Sequence, residues 1–204
     1  MANVNKPSGF TPVKYLNGAS WNGQANLYSI AAAYNVELAV GDPVISSGTS
    51  DAGGIPGVAL AAATGAIRGV IVGIGTTPGL IANPSNLDST KRPAAAQSKD
   101  WYCMVADDPA IVFEIQEQSN GTALAATEVG LNQVPILAAA GTYLSGWLLA
   151  SASGATPNTT ATLPLRLLGL AQKPAGTNTF GAYAKWLVKI NVHELGTGTG
   201  AAGV

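Results

Sequence analysis

The sequence predicts an all-β fold: a jelly-roll-like sandwich or barrel with an extended N-terminal arm. Three observations carry that reading. In the most regular segments apolar and polar residues alternate with a period of two, the pattern of a strand with one buried face. The chain holds 25 glycines and 12 prolines in 204 residues, placed between those segments where tight turns need them. Only two short stretches, 26–33 and 123–129, suit a helix. Many short strands separated by Gly/Pro-rich turns build sandwiches and barrels.

Residues 1–25 form the expected arm. Pro7, Pro12, Asn17-Gly18 and Asn22-Gly23 break helices and favour turns. Phe10, Tyr15, Leu16 and Trp21 nevertheless give the arm apolar anchors, for a partner surface or for the chain's own body. The body spans 26–195. Its strands are expected at 37–40, 43–46, 68–74, 101–106, 111–116 and 143–150, in a run through Leu163, Leu165 and Leu167, and at 183–193. In the last, Ala184, Trp186, Val188, Ile190 and Val192 share an apolar face, while Tyr183, Lys185, Leu187, Lys189, Asn191 and His193 share the other. Gly41-Asp42-Pro43, Asp51 to Gly54, Asp107-Asp108-Pro109 and Asn120-Gly121 supply turns. Residues 196–204, rich in Gly and Thr, read as a flexible tail.

Charged residues make up only 10% of the chain and the net charge is −1. A freely soluble surface usually carries about 25–35% charged residues, so this one suits lasting contact with other molecules. Apart from Lys91-Arg92 the ten Lys and Arg are scattered singly, which predicts no nucleic-acid binding. Cys103 is the single cysteine, so no internal disulfide forms and a cytoplasmic origin is expected. The first nine residues hold no apolar run, so no signal peptide is expected. Segments 56–75 and 137–155 are dominated by Ala, Gly and Ser, too weakly apolar for a spanning helix, and no membrane partner is expected.

Candidate chemistry is sparse. His193 is the only histidine, is placed on a polar strand face, and no nucleophile elbow accompanies it. Asp107 and Asp108 are adjacent and precede Pro109, which fits a turn better than a paired-carboxylate or calcium site. Gly73-Ile74-Gly75 lacks the spacing and the following helix of a dinucleotide loop. Cys103 sits in an apolar strand as an inert thiol. Asn120 and Asn158 match the glycosylation pattern without an expected secretion signal. No catalytic, cofactor or metal residue is assigned.

Four segments together resemble a known family: residues 10–18, 41–44, 105–116 and 186–195. Their order and spacing resemble the capsid decoration, or cementing, proteins of tailed, podovirus-like bacteriophages. The resemblance implies a non-enzymatic β protein on the outer surface of the virion, made in the host cytoplasm. It would cement neighbouring major capsid protein subunits against internal DNA pressure. It also implies a homo-oligomer, dimer or trimer, with the arm residues Phe10, Tyr15, Leu16 and Trp21 at the capsid or oligomer interface. The alternative is a head- or tail-fibre-type β-sandwich that binds carbohydrate or a receptor, against which Trp21, Trp101, Trp147 and Trp186 are dispersed. A hydrolase on a β scaffold ranks third.

Overall fold

A period of two becomes a strand only where one face can be buried against something. In the computed structural model of the chain, which describes residues 3–78, 90–137, 145–197 and 199–204, that condition is met along most of its length. The strands are β1 (Thr11–Tyr15), β2 (Asn26–Ile30), β3 (Leu38–Ala39), β4 (Pro43–Ser50), β5 (Pro56–Leu60), β6 (Gly69–Gly75), β7 (Lys91–Arg92), β8 (Trp101–Ala106), β9 (Ile111–Gln116), β10 (Asn132–Gln133), β11 (Pro135–Leu137), β12 (Trp147–Leu149), β13 (Leu165–Leu170) and β14 (Lys185–Ile190). Helical geometry among the described residues is confined to 3-10 turns at Ala126–Glu128 and Pro174–Gly176. No helix among them is long and apolar enough to cross a membrane.

The fold is all-β and has two main parts. Strands β2-β5-β4-β6-β8 close into a barrel, and β1-β9-β14-β13-β10 form an open five-stranded sheet. Two-stranded sheets β11-β12 and β3-β7 complete it. Of the expected alternatives, sandwich or barrel, the chain contains a closed barrel, with an open sheet beside it. The two parts meet at β6 and β8 of the barrel. Ile71 and Val105 face the barrel core with Tyr28, Ile30 and Val58. Their neighbours Val70 and Ala106 face the other way, into a second core with Phe113, Leu167, Trp186 and Val188 of the sheet. Both strands are therefore buried on two faces, which is why β6 reads as a nearly continuous apolar run.

Several expectations are corrected. Residues 26–30 are strand β2, not helix; five consecutive pairings to β8 outweigh a weak helical propensity. The stretch 123–129 keeps one 3-10 turn, followed by Gly130 at φ +92°. The arm lies on the chain's own body rather than on a partner along β1, which pairs antiparallel with β9, Thr11 opposite Glu114 and Tyr15 opposite Ile111. The tail is docked: Gly203 N donates to Thr159 O at 3.1 Å and Val204 N to Gly130 O at 3.1 Å. Arg166 holds it further, donating to the carbonyls of Ala201 and Ala202. The strand expected at 143–150 is observed as β12; residues 143 and 144 lie outside the described residues.

Candidate functional site

The four residues expected at an interface have different fates. Phe10 is 2% exposed and meets the Phe113 ring edge-on, centroids 6.1 Å apart. It is a core residue of its own fold. Trp21 packs against the same core and donates its indole N–H to Gln24 O at 3.2 Å. Tyr15 also packs there, and its hydroxyl donates to Gln24 Oε1 at 2.5 Å. Only Leu16, 50% exposed on the turn leading to Gly18, presents an apolar surface outward. The turn exists because Gly18 adopts φ +90° and Ala19 N donates to Asn17 Oδ1 at 3.0 Å.

The reason the arm is drawn in lies at a crossing of two glycines. Phe10 N donates to Gly41 O at 2.9 Å. A Cβ on Gly9 would collide with Ser145 and Gly41 O, and one on Gly41 with Ser8 O. Beside this crossing Asp42 is buried, accepting Ala39 N at 2.7 Å. Burial lifts its carboxyl to about 6, against the bonds from Ser145 and Ala39.

A polar cluster marks the barrel–sheet junction. Tyr28 OH donates to Asp107 Oδ2 at 2.5 Å and Asn26 Nδ2 to Asp107 Oδ1 at 2.9 Å. Arg68 Nε donates to Tyr28 OH at 3.1 Å, and its guanidinium reaches Glu194 at 3.6 Å. Both oxygens of Asp107 are thus engaged in bonds that tie β2 to the end of β8. His193 lies here too, 4% exposed, and is not the surface residue expected. Strand β14 ends at Ile190, and Asn191 N turns to Pro164 O, so the alternation that assigned His193 to the polar face stops before reaching it. Its Nδ1 accepts Leu195 N at 3.0 Å, and Nε2 has no hydrogen-bond partner among the described residues. Burial holds the imidazole down at about 4.

Two further buried ionisable side chains were not legible as such in the sequence. Arg92, 0% exposed, donates to the carbonyls of Ala31, Ala32, Val36 and Pro93 at 3.1–3.3 Å and to Tyr34 O. It thereby organises the loop between β2 and β3. Glu117 continues the inward phase of Ile111, Phe113 and Ile115; a carboxylate in step with core positions was the available signal. Among the described residues no group of three His, Cys, Asp or Glu side chains is placed to hold a metal ion. Cys103 is fully buried, which pushes its thiol well up.

No protein-family model, curated protein or solved structure matches the chain.

Proposed function

We propose that this chain is a non-enzymatic virion structural protein. It binds the outside of a bacteriophage capsid and cements neighbouring subunits of the shell. The observation that carries the reading is where the few charges go. A chain with only 10% charged residues places four of them, Asp42, Arg92, Asp107 and Glu117, inside, so few charges are left for its outer surface. Such a surface repels neighbours weakly. Leu16, Leu137, Phe180 and Leu195 stand exposed on it, available to be covered by a shell or by sister copies. Symmetric copies with individually weak footprints hold an assembly by multivalency.

The test is compositional. Quantitative mass spectrometry of purified particles is expected to find the chain at a copy number comparable to the shell protein. Its absence from particles, with abundance only in lysate, overturns the proposal.

A further inference from the structure

The ten Lys and Arg look dispersed in sequence, yet the fold gathers six of them, Lys6, Lys14, Arg166, Lys173, Lys185 and Lys189, around the outward face of the five-stranded sheet. Register puts three in one line. Lys14 of β1 lies opposite Val112 of β9, Val112 opposite Lys189 of β14, and Lys189 opposite Arg166 of β13. Strands stand about 4.8 Å apart, so the line is about 14 Å long. The other three gather at the far end of β14. Lys185 Nζ donates to Lys6 O at 2.9 Å, and Lys173 reaches Glu114 at 2.6 Å. Burial lowers the Lys185 ammonium, and the neighbouring charges of Lys173 and Lys6 lower it further while Glu114 opposes them.

Like charges directly opposite in an antiparallel pair are destabilising, so the Lys189–Arg166 pairing is not explained by the fold's own stability. Arg166 is partly answered by Asn132 Oδ1 at 3.1 Å and by the tail carbonyls. Among the described residues neither Lys14 nor Lys189 takes part in an ion pair. A line of outward cations with a single carboxylate, Glu114, among them is complementary to an acidic surface.

We infer that this sheet face is the docking surface for a carboxylate-rich protein surface, that of the assembly on which the chain sits. The inference rests on the proposed function for where that partner is found. Nucleic acid is the poorer occupant. Glu114 would face its phosphates, none of the outward residues on these strands is aromatic for base stacking, and the net charge is −1. Lysine stems beside the half-buried Leu187 suit a mixed protein contact, in which methylenes pack while ammonium groups reach carboxylates.

The test uses the full chain on a biosensor surface bearing poly-L-glutamate, with a DNA duplex on a parallel surface. Retention on polyglutamate is expected to fall steeply between about 50 and about 300 mM salt. The double variant Lys14→Glu/Lys189→Glu is expected to bind about tenfold more weakly or worse. Lys99→Glu, an exposed position outside this face, is expected to change binding by less than about twofold. Lys14→Gln/Lys189→Gln, which adds no negative charge, should fall between and guards against misfolding of the reversal variant. Undiminished binding by both double variants overturns the inference, as does tighter wild-type binding to DNA than to polyglutamate at equal salt. Particles lacking the chain, with the polyglutamate result intact, would defeat the proposed location and leave the surface standing. Particles decorated equally well by wild type and the reversal variant would do the opposite.

Discussion

Trp186 donates its indole N–H to Glu117 Oε2 at 2.9 Å, with both side chains fully buried. The pair joins β14 to the segment following β9. The other carboxylate oxygen accepts Leu124 N at 2.7 Å, so one buried acid anchors a strand on one side and a loop on the other.

Substitution at Trp186 separates packing from this bond. Trp186→Phe keeps most of the ring and removes the donor, and is expected to cost about 1–3 kcal/mol, the usual penalty for a buried acceptor left without its partner. Trp186→Ala adds a cavity and should cost about 3–5 kcal/mol. Urea denaturation measures both; wild-type stability in Trp186→Phe would show that the bond contributes nothing.

Glu117 should give the protein a pH-dependent stability. Burial first, then Glu128, raise its carboxyl to about 7, against the bonds from Leu124 and Trp186. The folded chain therefore holds a proton that the unfolded chain releases. That contribution is fully present below the ordinary glutamate value of 4.5 and is lost as pH rises through about 7. Glu117→Gln cannot titrate. It is expected to be the less stable protein, with a thermal-midpoint deficit that narrows from about pH 5 to about pH 8. A deficit independent of pH would contradict this.

His193 has the opposite sign. Its imidazole is depressed from 6.5 to about 4, so the unfolded chain takes up a proton before the folded one does. The stability it supports is present above pH 6.5 and lost as pH falls through about 4. As the only histidine, it offers a single proton NMR signal, which should stay in its neutral position down to about pH 5. Titration near the ordinary value would place the ring in solvent.

Gly41→Ala should be worse than Gly48→Ala. Both glycines have positive φ, +95° and +75°, which costs a residue with a Cβ about 1–2 kcal/mol. Around Gly48 there is nothing within 4 Å of a new methyl, whereas at Gly41 it meets the backbone oxygen of Ser8. The thermal midpoint of Gly41→Ala should fall further, because the backbone carbonyl of the crossing segment cannot rotate away as a side chain could. Equal losses would mean the crossing is loose.

Where a segment's partner did not matter, its structure was legible in the residues. Strand β8 occupies the expected 101–106 and β9 the expected 111–116. In β14 the burial alternates through Trp186, Val188 and Ile190 as their spacing requires. Strands β1, β5, β7, β10 and β11 were missed because they are short or lack clean alternation. Their backbone groups are satisfied by neighbours remote in sequence, as when Asn132 pairs with Arg166.

The interface residues show the same division. Phe10, Tyr15 and Trp21 were legible as anchors, since aromatic side chains in a Pro- and Gly-broken segment must be buried somewhere. Which surface buries them was a question of register between β1 and β9. Composition and periodicity by themselves determined the all-β class, the inward face of β14 and the scarcity of charge, because each depends on a residue and its near neighbours. Only the tertiary structure decided that β2, β4, β5, β6 and β8 close a barrel, that His193 is buried, and that Lys14, Lys189 and Arg166 share one line. Those outcomes rest on hydrogen bonds between strands far apart in the chain, and a one-residue slip in any pairing would send its side chains to the opposite face.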